Sequence, residues 1–419
     1  MSSVAGIHRQ DAQAGHHEHR ARAAGAGVSV RVVLLTGKGG VGKTTLAAAT
    51  AVAAARQGAR TLLISTDAAH SVCDVLDQPL GAEPVAVAPG LDAVQLDGRY
   101  ELQRSWAAIA DYLHRALGWA EIHRLHVDEL MVVPGLDQLV ALARLRALVL
   151  DGSWDTLIVD CAPSADSLRL LMLPDVLRWY IDRLFGESGI TGAWMRRRVA
   201  RTLSIPTPDD QVLDSIQEIT RELSGLRAML GEAATTARVV VTPERLVIAE
   251  AQRTMAYLAL YGYQVDAVLV NRVAGDEFAL PELERWRAME QAQLDTIDRS
   301  FDPLPRLRVR RRYAEPIGLD MLEEVGDELY AGLDPVARLS DKPAFELDTQ
   351  GAESRVRLFA PGFVRDQIAL ERDGAELIVT LGEHRRAVQL PDTLQYQDVV
   401  RAGRDGAYLE VVFGEKAHA

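Results

Sequence analysis

Nine consecutive residues, Gly37-Lys38-Gly39-Gly40-Val41-Gly42-Lys43-Thr44-Thr45, fit the phosphate-binding pattern G-x-x-x-x-G-K-[ST]. Its glycines let backbone N–H groups turn inward around phosphates, and a helix start behind them adds its dipole. Lys43 offers a point charge to the β- and γ-phosphates, and the Thr44 hydroxyl is a ligand for Mg²⁺. Of the 46 basic residues only Lys38, Lys43, Lys342 and Lys416 are lysine; the other 42 are arginine. Arginine is too bulky and planar for that job, which explains why Lys43 stays a lysine.

Two carboxylates stand where this chemistry needs them. The strand-like run Arg60 to Ser65 leads to Asp67, and the apolar run Thr156 to Asp160 ends in Asp160. A carboxylate at the end of a parallel strand, facing the glycine loop, can orient and polarise an attacking water, the role expected of Asp67; the competing reading is a helix N-cap. Asp160 is expected to hold Mg²⁺ through water, because that ion keeps several waters and takes few direct protein ligands.

The elements needed to position these residues are legible around them. Val28 to Leu35 reads as a buried strand entering the loop, and an alanine-rich helix follows to about Gln57, where Gly58 stops it. Runs at Arg238 to Val241 and Asp266 to Val270, separated by a helix-length stretch, repeat the strand–helix–strand pattern. The predicted fold is therefore α/β, a mostly parallel sheet flanked by helices. Helix-rich insertions at about 100–130 and 174–235 form a helical subdomain, with Trp106, Trp119, Trp179 and Trp194 read as core residues.

Past residue 333 the pattern changes. Residues 334–350 lose periodicity and read as a linker, and 351–419 carry short strands between turn signals such as Pro361-Gly362, Asp373-Gly374 and Asp405-Gly406. That is the pattern of an all-β sandwich. The α/β domain that carries the glycine loop then spans 28–333, behind an N-terminal stretch, 1–27, of Ala, Gly, Arg and His that reads as a disordered tail.

Composition excludes several classes. The charge of −13 gives no general attraction to nucleic acid or anionic lipid. Arg196-Arg197-Arg198 and the run from Arg306 to Arg312 lack interleaved aromatics and read as solvated faces. No stretch is long enough and apolar enough for a spanning helix, so no integral membrane segment is expected. The two cysteines, Cys73 and Cys161, are too few for a disulfide framework and suit a reducing cytoplasm.

With Lys38 directly after the first loop glycine, GKGGVGKTT resembles the deviant Walker A loop of P-loop NTPases: the partition, nitrogenase-iron-protein and arsenical-pump/tail-anchor-targeting ATPases. Residues 65–74, STDAAHSVCD, resemble the switch I of the last branch, with Ala68 where proline is usual. Residues 161–171 resemble its switch II, with Ser164-Ala165-Asp166-Ser167 in place of Thr-Gly-His-Thr, and Pro134 to Asp137 and Glu315 to Leu319 also fit. The resemblance implies ATP and Mg²⁺ as cofactors, a homodimer in which Lys38 reaches the partner's nucleotide, and nucleotide contacts by Glu244 and Asn271, the asparagine reading the adenine edge.

It further implies an ATP-hydrolysing switch that binds and releases an unknown client protein, one with a hydrophobic segment in the tail-anchor branch. The alternatives are a nucleotide-stabilised chaperone with little turnover and an arsenite-stimulated pump ATPase. Residues 281–287, PELERWR, lack the Cys-x-x-C zinc clamp of tail-anchor-targeting members, and the metalloid-binding cysteine trio is missing. The C-terminal strands resemble the α-crystallin domain of small heat-shock proteins, through Ala360-Pro361-Gly362-Phe363, Glu376 to Val379 and Leu390-Pro391.

Overall fold

Consecutive β-branched and leucine residues without polar alternation can be satisfied only by a sheet covered on both faces, and such runs form the centre of the molecule. The computed structural model describes residues 30–66, 71–96, 136–161, 221, 224–226, 228–276, 280–348, 354–395 and 397–414. Strands β1 (Arg31–Thr36), β2 (Thr61–Ser65), β3 (Val85–Ala88), β4 (Leu91–Gln95), β5 (Thr156–Asp160), β6 (Thr235–Val241), β7 (Val265–Val273) and β8 (Arg306–Arg310) make one sheet. Their order is β3-β4-β2-β5-β1-β6-β7-β8, parallel throughout except for the antiparallel pair β3–β4.

Helix α1 (Lys43–Arg56) follows the glycine loop and buries almost its whole length. Its alanines allow a close approach by the helix Leu319–Tyr330: an added Cβ at Gly326 would lie 2.9 Å from the Ala49 carbonyl oxygen. Between these come α2 (Ser71–Leu76), α3 (Leu136–Asp151), α4 (Arg245–Leu260) and α5 (Glu284–Ser300); α6 spans Leu319–Tyr330. Strand register fixes the site. Leu35 of β1 pairs with Asp160 of β5, and Asp160 in turn with Ser65 of β2, so three carboxyl ends open on one edge of the sheet. Ligands of open α/β sheets bind at that edge.

The C-terminal strands form two antiparallel sheets. One orders β14 (Asp398–Asp405), β15 (Tyr408–Gly414), β10 (Ser354–Phe359) and β9 (Phe345–Asp348); the other orders β11 (Ile368–Asp373), β12 (Glu376–Leu381) and β13 (His384–Gln389). Strand β9 lies in the stretch read from sequence as linker. Four residues carry no periodicity that a sequence can show, and pairing with β10 is what orders them. The sandwich rests on α4: His384 stacks on Tyr257 at 3.7 Å between ring centroids, and the Tyr261 hydroxyl is 3.1 Å from His384 Nδ1.

A buried ionic cluster closes the opposite edge of the sheet. Arg238 and Asp266 are fully buried 3.1 Å apart, and Arg31 reaches the same carboxylate at 3.0 Å. Arg238 also donates to the carbonyls of Pro335 and Ala337, Arg31 to that of Val336, and the Leu339 N–H donates to Asp266. The chain leaving α6 is thus strapped to the sheet before it enters the sandwich.

Candidate nucleotide site

The glycine loop joins β1 to α1 through backbone conformations that side chains resist. Gly37 has φ +146°, and an added Cβ would stand 2.4 Å from the Val240 carbonyl oxygen. Gly42, at φ +90°, caps α1, and a Cβ there would meet Asn271 Nδ2 at 2.3 Å. Gly40 faces open space. A side chain at Gly37 or Gly42 would therefore clash with the protein itself.

Lys43 is buried and its ammonium donates to the Lys38 carbonyl at 3.2 Å, folding the side chain back over the loop. Lys38 turns outward instead, its ammonium 3.6 Å from Glu250 of α4. Thr44 donates from Oγ1 to Asp160 Oδ2 at 2.7 Å, and the Ser71 hydroxyl lies 3.4 Å from the same Thr44 oxygen. A hydroxyl and a carboxylate, both hard oxygen donors, meet at the floor of the loop. That donor set fits Mg²⁺, which favours oxygen and few protein ligands. Ser71 was not singled out in the sequence, and its place inside the 65–74 segment, four residues past Asp67, is the signal that could have found it.

Beside Gly42 a cavity of about 480 Å³ is lined by Gly42, Thr45, Ser71, Asn271, Arg272 and the segment that runs from Val309 in β8 to Ile317. Asn271, 8% exposed, donates through Nδ2 to the Val41 carbonyl at 2.9 Å and accepts the Arg272 N–H at 2.9 Å. An amide has four hydrogen-bonding positions, so two remain for a ligand in that cavity. Glu244 lies outside this lining; it is exposed at the start of α4, where its carboxylate accepts from the Thr242 hydroxyl at 3.2 Å. Thr45 is brought to the cavity, while Asp67 and residues 162–171 lie outside the described residues.

The arginine run is not an open basic face. Arg306 and Arg308 pair with Asp298, Arg310 with Glu328, and Arg312 with Glu324 and Glu328. Arg311 lies over the Trp286 ring at 5.7 Å and lines the cavity. Sequence could not reveal this, because the acids come from α5 and α6. Cys161, directly after Asp160, has its thiol pushed up to about 12 by burial, with the Asp160 charge adding to the rise and Lys43 opposing it. It stays a thiol at neutral pH.

Comparison with known proteins agrees with this geometry. Residues 30–331 match the family model described as anion-transporting ATPase, and 351–413 match an HSP20-like domain found in ArsA. A Chlorobaculum tepidum protein provisionally named an arsenical pump-driving ATPase is 32% identical over 371 residues, covering 86% of this chain and 90% of that one. An Aquifex aeolicus protein with the same provisional name is 28% identical over 88% of this chain and 96% of its own. The ATPase GET3 of Ajellomyces dermatitidis is 26% identical over 71% of this chain and 89% of its own. With the loop, its aspartate partner and both matched regions in place, the chain belongs to the anion-transporting ATPase family and carries at its C-terminal end the HSP20-like domain found in ArsA.

Proposed function

We propose that the protein is a Mg²⁺-dependent ATPase that works as a homodimeric switch, binding a client protein in one nucleotide state and releasing it in the other. The carrying observation is the 2.7 Å contact of Thr44 with Asp160 beneath the glycine loop, the arrangement a Mg²⁺–triphosphate needs. In this reading Lys43 neutralises charge on the β- and γ-phosphates, Thr44 and Asp160 hold the ion, and Asn271 presents its two remaining hydrogen-bonding positions to the base. When bound there, Mg²⁺ would supply charge neutralisation to the nucleotide. Asp67 orients the attacking water, Lys38 reaches the partner's nucleotide, and Glu244, at the start of α4, contacts the nucleotide.

Family membership and the ATPase name of the relative GET3 support nucleotide hydrolysis, and the dimer and its client rest on the resemblance of the loop and switch segments. Among the described residues no helix is long and apolar enough to cross a membrane. Turnover per chain should rise with protein concentration and collapse in Lys43→Ala; a flat rate would sink the dimer. Asp67→Asn protein purified from its own host with ATP and Mg²⁺ should retain its client for mass spectrometry. Proteins with one C-terminal hydrophobic segment would establish membrane-protein targeting, and soluble partners would indicate a chaperone or assembly role.

A further inference from the structure

We propose that Glu250 is a positioning residue that holds Lys38 inside its own chain at rest and must release it before the lysine can act in trans. The inference rests on the homodimer reading of Lys38. The two loop lysines are handled in opposite ways: Lys43 is buried and bound to the loop backbone, whereas Lys38 points away from the loop to the carboxylate of Glu250 at 3.6 Å. Both members of that pair are about one third exposed, 38% and 34%. An ion pair so open to water is weak, worth about two- to fivefold in an equilibrium, so it restrains Lys38 without trapping it. A nucleotide's phosphates carry several negative charges and outcompete one carboxylate.

The position of Glu250 is itself fixed from the far side. It lies on α4, a single helix from Arg245 to Leu260, and the same helix bears the C-terminal sandwich. Gln252 packs against Gly362, where an added Cβ would come within 2.6 Å of its Oε1; Tyr257 and Tyr261 hold His384; and Arg386 donates to the Leu260 carbonyl. One rigid element thus links the sandwich to the resting place of Lys38.

With only four lysines in the chain, lysine-selective ¹³Cε labelling of the full-length protein gives a readable spectrum. The Lys38 signal, assigned by its loss in Lys38→Arg, should shift in Glu250→Gln without nucleotide and return toward the wild-type position in Glu250→Asp. In parallel, association driven by a non-hydrolysable ATP analogue with Mg²⁺, followed by sedimentation, should strengthen about 4- to 25-fold in Glu250→Gln, because each of the two chains contributes its own two- to fivefold factor. It should be insensitive to Glu250→Gln in a Lys38→Ala background. An unmoved Lys38 signal, or the same gain with and without Lys38, overturns the proposal. A wild-type chain that stays monomeric with the analogue overturns the homodimer reading itself, a failure visible before any variant is compared.

Discussion

Arg238 of β6 and Asp266 of β7 meet 3.1 Å apart with neither side chain exposed to water. The guanidinium spends its other donors on Tyr330 and on the carbonyls of Pro335 and Ala337, so the pair both closes the sheet edge and straps the chain that leads to the sandwich. Removing the acid leaves a buried cation facing Arg31. Asp266→Ala should therefore lower stability by about 3–5 kcal/mol, because an uncompensated buried charge costs more than the pair contributes. Urea unfolding checks this, and a loss below about 1 kcal/mol would show that the network is better solvated than the structure implies.

Asp160→Asn keeps the size of the side chain and removes the charge that faces Thr44. We expect ATP turnover to fall about 10²- to 10³-fold with nucleotide affinity changed less than tenfold, since charge stabilisation in the transition state is what is lost. Steady-state kinetics beside titration of a fluorescent ATP analogue separate the two. Near-normal turnover would remove Asp160 from the metal site.

Asn271→Ala would take a donor from the Val41 carbonyl and leave the cavity side of Gly42 without its amide. Affinity for ATP should drop about tenfold, equivalent to about 1.4 kcal/mol, while GTP binding should change less. Equal losses for both nucleotides would mean that Asn271 shapes the loop and does not read the base. Gly42→Ala should be harsher, because its Cβ would overlap the Asn271 amide at a backbone angle that alanine resists.

Cys161 should label slowly with iodoacetamide in a Cys73→Ser variant. The thiol is raised from 9.0 to about 12, so the thiolate fraction near pH 8 is about a thousandfold lower than for an ordinary cysteine. A raised thiol pKa means the reactive form appears only as pH climbs, and the rate should grow about tenfold per pH unit toward that value. Labelling at the rate of a free thiol in the folded protein would refute the raised thiol.

Two kinds of residue made the sequence informative, and a third left no trace in it. Spacing along one chain determined the phosphate loop from Gly37 to Thr45, because a strand, a turn and a helix start are local and the glycine conformations they demand are local too. Continuous apolar runs marked β1, β2, β5, β6 and β7 as covered strands, and Asp373-Gly374 and Asp405-Gly406 marked the hairpins of the sandwich. Tertiary structure alone decided what depends on distant segments meeting. Asp160 reaches Thr44 across 116 positions, Arg238 finds the backbone of Pro335 and Ala337, Lys38 finds Glu250, and β9 exists only by pairing with β10. The physical reason is the same in each case. Backbone propensity and burial pattern act over a few residues, whereas an ion pair or strand pairing is chosen by which surfaces the packed sheet brings within 3 or 4 Å.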